Sequence, residues 1–202
     1  FSSCSDDITG LNKDVKNPTT VNASYLFTNA EKAMVDQVSS TSVNENVFRL
    51  FAQQWTECSY PQESQYDITG RKIPDTHWAV YYRDVLRDFK ESKEYLQKET
   101  YTGTAVQIET ANEIRKNKLA LIEVLSAYSY SILVDTFGDV PYTEALDILD
   151  HPQPKYDDGL TIYKDLISRL TVASATLKAG TKGSFGQADL IYSGDTQKWA
   201  KF

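Results

Sequence analysis

From about Ala105 or Thr110 to Thr136 the chain reads as one long helix whose second half is apolar on more than one side. Leu121, Leu125, Tyr128 and Ile132 fall on one face, and Leu119, Ile122, Leu133 and Phe137 on another. A helix with a single apolar stripe needs one neighbour, whereas a helix apolar on several sides has to lie between others. This stretch therefore predicts the central helix of an all-α fold. Gly138 follows as a stop, where a left-handed residue is wanted past the last carbonyls, and Val140-Pro141 leads the chain away. Leu119–Val134 is the best apolar run, but Glu123 and several Ser and Tyr interrupt it, so it reads as a buried helix and not a membrane span.

The neighbours come from the same periodicity. Phe27, Ala30, Met34 and Val38 form one stripe, widened by Leu26 and Ala33. A second helix is expected from Asn44, with Val47, Leu50, Phe51, Trp55 and Cys58 on one face; Trp55 and Cys58 are then core residues, the latter a buried free thiol. Asp75 or Thr76 caps a third, whose stripe is Trp78, Tyr81, Tyr82, Val85, Leu86, Phe89 and Leu96. Trp78 too is read as core. Pro152 and Pro154 mark an extended connection, after which Asp157 or Asp158 caps a helix with the stripe Leu160, Tyr163, Ile167, Leu170 and Leu177. Asp189–Tyr192 is a short strand or turn, and Thr196 caps a last helix. Without period-two strands, such helices stack as hairpins. The spacing from the aromatic-rich helix to the central one fits a period of about 34 residues, but consensus residues are not at fixed offsets.

Composition removes several functions. A net charge of -7 repels a phosphate backbone, so nucleic acid is not a partner; Arg115-Lys116-Asn117-Lys118 is a solvated helix face. His77 and His151 are the only histidines and have no Cys at ligand spacing, so neither a metal nor another cofactor is expected. No phosphate-cradling glycine loop and no Gly-x-Ser-x-Gly occur. Asp139 and Glu144 are close enough in sequence to raise glycosidase chemistry, but with 28 acidic residues such proximity is ordinary. Asp139 reads better as a turn cap, Tyr142 as a packing residue, and the chain as no enzyme.

Longer strings carry more. Asp135–Ala145 reads Asp-Thr-Phe-Gly-Asp-Val-Pro-Tyr-Thr-Glu-Ala; Tyr156-Asp157 and Ile162-Tyr163 follow, then Asp189-Leu-Ile-Tyr192-Ser-Gly194-Asp195 and Lys198-Trp199-Ala-Lys-Phe202. Together with Tyr60-Pro61, Tyr66-Asp67, the helix anchored at Trp78, and Cys4 near the start, they resemble the SusD/RagB family of cell-surface nutrient-binding lipoproteins. The resemblance runs from roughly Trp55 to Phe202. It implies a degenerate tetratricopeptide-like stack of helix hairpins, capture of an oligosaccharide or in some branches a peptide, and delivery to a TonB-dependent SusC-type transporter. It implies an outer-membrane, cell-surface location held by a lipid on Cys4 alone. Phe1-Ser2-Ser3-Cys4, with Asp6-Asp7 just behind, is then the remnant of a lipoprotein signal. Residues 1–22 are a leader remnant and tether, and 23–202 the N-terminal part of a longer helical fold. A helical-repeat scaffold for protein partners is the alternative.

Ser59–Thr76 breaks all periodicity, with Pro61, Gly70 and Pro74. Long loops in compact domains are usually functional or mobile. Tyr60, Gln62, Tyr66, Asp67 and Arg71 have the composition a sugar site needs: rings for apolar C–H faces, carboxylates and amides for hydroxyls.

Overall fold

A computed structural model of the chain describes residues 21–202; Cys4 and the leader lie outside the described residues. The order is α1 (Ala23–Ser39), α2 (Phe48–Phe51), a 3₁₀ turn Glu63–Gln65, α3 (Ile73–Ala79), a π-helical segment Val80–Leu86, α4 (Arg87–Lys98), α5 (Ala105–Phe137), β1 (Val140–Pro141), β2 (Tyr156–Asp157), α6 (Gly159–Ala179), a 3₁₀ turn Gly186–Ala188 and α7 (Thr196–Trp199).

The long helix is central, as its pattern requires. A capping box starts α5: Gln107 N donates to Thr104 Oγ1, and Thr104 N donates to Gln107 Oε1. Gly138 ends it at φ 79°. Between them Leu121, Ile122, Leu125 and Leu133 are buried, while Leu119, Tyr128, Ile132 and Phe137 are half-buried at the margins. α6 covers one side of α5, and α4 with the π-helical segment covers another. The length and hydropathy of α5 also suit a membrane span, but here its apolar faces belong to the core. α1 packs on α4 and the π-helical segment, with Phe27 between Phe89 and a stacked Phe185, whose ring centroid lies 3.8 Å away. Burying each such ring contributes roughly 2–3 kcal/mol.

Several boundaries differ from the periodic reading. The second helix stops after Phe51 because Gln53 turns left-handed, at φ 56°. Gln53 N donates to Leu50 O and Gln54 N to Arg49 O, a Schellman closure with glutamine where glycine is usual. Trp55 and Cys58 therefore leave the helix and are exposed, with the Arg49 guanidinium 5.0 Å above the Trp55 ring. α3 begins at Ile73 with Pro74 in its first turn, so neither Asp75 nor Thr76 is the cap. Asp195 caps α7, and Thr196 is its first residue. On α6 the buried positions are Ile162, Leu166, Ala173 and Leu177, while Leu160, Ile167 and Leu170 face outward. Apolar residues lie on two faces of this helix, and only the approach to α5 selects one of them. Val38 is likewise exposed.

Candidate functional site

The antiparallel pairing of β1 with β2 (Val140 opposite Asp157, Pro141 opposite Tyr156) folds the proline-rich connection back against the end of α5. Asp157 staples it there, its carboxylate accepting from Tyr142 N and from Thr143 N, the latter at 2.7 Å. These bonds hold its carboxyl below the usual range, against the opposing effect of desolvation. The pairing carries Tyr156 over α3.

The result is an open aromatic cleft of about 470 Å³. Trp78 forms its floor. The Tyr156 ring stacks on it at 6.1 Å with the planes 27° apart, the Tyr82 ring lies tilted by 40° at 4.8 Å, and Phe137 meets Trp78 edge-on at 5.1 Å. Tyr82 Oη donates to Pro141 O at 2.6 Å; burial raises this phenol's pKa, so it stays a donor. Lys90 Nζ donates to Leu146 O at 2.6 Å and fixes the opposite wall, where Leu146 itself sits left-handed at φ 64°. Gln153 and Pro154 complete the rim. Trp78 is thus half-buried and supplies the cleft with a ring face in addition to its core contact. Alternation and spacing hid the site because Trp78 and Tyr156 meet only through the β1–β2 pairing.

The Ser59–Thr76 loop lies at the same end of α5, since Phe137 touches both Trp78 and His77. Its five candidate residues divide into two groups. Tyr60 and Gln62 are exposed, Tyr60 at 76% and with a left-handed backbone. The other three side chains hold the loop's shape. Tyr66, also left-handed at φ 63°, receives a hydrogen bond from Gln53 Nε2 and donates to Phe51 O. Asp67 accepts from Thr69 N and Oγ1, which keeps its carboxyl below the usual range. Arg71 forks onto Glu63 and reaches Asn44 in the α1–α2 connection. Glu63 is 1% exposed, and Arg71 holds its carboxyl below the usual range. Arg71 is partly exposed, but removing it leaves the buried Glu63 charge unpaired. Arg71→Ala is therefore expected to open the loop locally. Limited proteolysis should cleave between residues 59 and 71 at least tenfold faster than in the parent, with the midpoint of global unfolding shifted by only a few degrees; equal cleavage rates would show that Arg71 does not hold the loop.

A family profile described as starch-binding associating with outer membrane, of the SusD-like type, matches residues 15–202. The chain belongs to this SusD-like family. A crystal structure of a SusD/RagB family protein from Bacteroides thetaiotaomicron superposes with a TM-score of 0.68 at 20% identity, over 91% of this chain. The match covers 36% of that protein, so the SusD-like chain here spans about a third of its length. Among curated proteins none matches.

The SusD-like strings themselves turn out to be structural. Asp139 Oδ1 accepts from Gly159 N at the start of α6. Glu144 accepts from Lys155 N, pairs with the Lys155 ammonium and lies 3.7 Å from His151 Nδ1, so its partners are all in the connection. Tyr142 stands edge-on to Tyr130 at 4.7 Å, donates to Asp165 and receives a hydrogen bond from Arg169. Asp189 accepts from Ile191 N, Tyr192 N, Gly194 N and Trp199 Nε1. Gly194 is obligatory: at φ 77° an added Cβ would lie 2.4 Å from Gly186 N. Among the described residues no cluster of His, Cys, Asp and Glu is arranged to hold a metal ion.

Proposed function

We propose that this chain is the nutrient-capturing part of a surface lipoprotein: it binds an oligosaccharide across the Trp78–Tyr82–Tyr156 cleft and passes it to a TonB-dependent SusC-type transporter. The cleft carries this reading. A sugar ring has apolar C–H faces and polar edges. A shallow floor of ring faces with a few polar groups at its rim suits both, and the family description names starch. Tyr60 and Gln62 extend the contact from the neighbouring loop, while Tyr66, Asp67 and Arg71 keep that loop in shape. A lipid on Cys4 holds the assembly at the outer membrane, with the acyl chain as the only membrane contact. Nothing in the arrangement requires turnover.

Tyr156 is 64% exposed, so its removal leaves the core intact. In calorimetric titration with a starch-derived heptasaccharide and a panel of other glycans, Tyr156→Ala is expected to weaken binding about tenfold, equivalent to about 1.4 kcal/mol, at an unchanged unfolding midpoint. Equal affinity in parent and variant, or no response to any glycan, would remove the cleft from the mechanism. A scaffold reading has one observation in its favour: Leu160, Ile167 and Val172 on α6 point outward. Affinity purification from outer-membrane extracts separates the two, a transporter barrel supporting delivery and a soluble assembly supporting the scaffold.

A further inference from the structure

Leu146, a wall of the aromatic cleft, also borders a second pocket of about 260 Å³ between α4, α5 and α6. Its size is below that of a drug-sized site, so an occupant is no larger than about one sugar ring. Leu86, Phe89 and Ile122 give it an apolar side almost wholly closed to solvent. The polar groups follow helical spacing. Lys90 and Lys93 share a face of α4, Glu123, Ser126 and Tyr130 share a face of α5, and Arg169 reaches in from α6.

The charges in this lining do not balance. Lys93 donates to Glu123 Oε1 and Arg169 to Glu123 Oε2. Against desolvation, the Lys93 hydrogen bond and the Arg169 charge hold this carboxyl below the usual range, so it is ionised. Lys90 sits on a neutral acceptor, Leu146 O, at 2.6 Å. Three cations thus share one lining carboxylate, in a chain whose net charge is -7. Each lysine spends one of its three N–H donors on these partners and keeps two. Asp165, which accepts from Tyr142 Oη, lies outside the lining.

Two hydroxyls add to the cations. Ser126 and Tyr130 are 8% and 6% exposed. Among the described residues neither hydroxyl has a hydrogen-bond partner, and neither is sealed from solvent. Both residues are more than nine-tenths buried and line this pocket, so what stays accessible of them opens into it. Burial raises the pKa of the Tyr130 phenol, which therefore remains a donor. Each hydroxyl can also accept.

These groups define the occupant. Surplus positive charge selects an anion, and the ionised Glu123 in the same lining favours a monoanion over a dianion. The unbonded hydroxyls suit a hydroxylated body, and the apolar side suits its C–H face. We propose that this pocket binds a single hexuronate, with the carboxylate on Lys90 and Lys93 and the hydroxyls on Ser126 and Tyr130. The lining of the aromatic cleft contains no charged residue, so the two sites differ in chemistry and the assignment does not depend on what the cleft holds.

Calorimetric titration of the whole chain with D-glucuronate is expected to show saturable binding. D-glucose, which lacks the carboxylate, and inorganic phosphate, which is largely a dianion above neutral pH, should each bind at least tenfold more weakly. Ser126→Ala and Tyr130→Phe each remove a hydroxyl without a partner among the described residues, and Tyr130→Phe keeps the ring against Tyr82 and Tyr142. Each is expected to weaken glucuronate about tenfold at an unchanged unfolding midpoint. No saturable response to glucuronate, equal binding of glucose or phosphate, or undiminished binding by both variants would overturn the assignment. The starch-derived heptasaccharide carries no carboxylate and should bind the parent and both variants alike. A loss of its affinity together with that of glucuronate would make pocket and cleft one site and overturn a separate one.

Discussion

Asp189→Ala is expected to detach α7 and cost on the order of 3–5 kcal/mol. Asp189 is 1% exposed, as is Trp199, whose indole Nε1 donates to it at 2.6 Å. The same carboxylate collects Ile191 N, Tyr192 N and Gly194 N, and so sets the turn between the Gly186–Ala188 segment and α7. These hydrogen bonds together hold its pKa below the ordinary value although desolvation pushes the other way. Alanine leaves these three amides and the indole without their acceptor, Gly194 N and Trp199 Nε1 among them in buried positions, and each buried orphaned donor costs about 1–3 kcal/mol before relaxation. The structure relaxes by releasing Trp199. Chemical denaturation should show the loss in stability, and tryptophan emission in the folded variant should move to longer wavelength. An unshifted emission and a loss below about 1 kcal/mol would mean that Trp199 is seated by packing alone.

Glu31→Gln is expected to do the reverse and stabilise the protein at pH 8. Glu31 is fully buried on α1 and faces Asp189; its Oε2 accepts from Leu190 N, and its Oε1 has no partner as an acceptor. A proton on the carboxyl resolves this, since Glu31 then donates to Asp189. Burial first, and the adjacent Asp189 after it, push the Glu31 pKa up from 4.5 to about 8. The sign follows from linkage. Between those two values the folded chain keeps a proton that the unfolded chain has released. The group's contribution is therefore complete below about pH 4.5 and is lost as pH rises through about 8, at up to about 1.4 kcal/mol per pH unit. Asp189, with a depressed pKa, contributes in the opposite sense, losing its share only as pH falls below 3.8. Glutamine is neutral at every pH and retains both an acceptor for Leu190 N and a donor for Asp189. The parent's unfolding midpoint should fall by on the order of 10 °C between pH 5 and 8, and that of Glu31→Gln should stay nearly level. Parallel curves for the two proteins would show that no proton is held there.

What sequence determined is what local chemistry and one-dimensional spacing can carry. The two apolar faces beyond Leu119 require a central helix, and Gly138 ends it. Asp158 caps α6 because its carboxylate needs only the amide of Thr161 in the next turn. The motif strings of the SusD-like family mark where the chain turns, and the residues in them are close in sequence to much of what they hold. The Schellman stop at Gln53 left little sign, since the expected glycine is absent and apolar spacing continues past it to Cys58. Composition grouped the five loop residues together but could not separate the outward Tyr60 and Gln62 from Arg71, whose guanidinium is spent on Glu63.

Only the tertiary structure decided the pairs that lie far apart along the chain. Glu31 meets Asp189 because α1 packs against the segment before α7, and the two carboxyls must then share what neither could hold alone in the absence of water. Trp78 meets Tyr156 because two residues of β-pairing fold the connection over α3. α6 carries apolar residues on two faces, and the approach of α5 chose Ile162, Leu166 and Ala173 over Leu160 and Ile167. In each case the partners meet because the whole fold brings their surfaces together, driven by burial of the apolar residues around them, and no local pattern records which surfaces those will be.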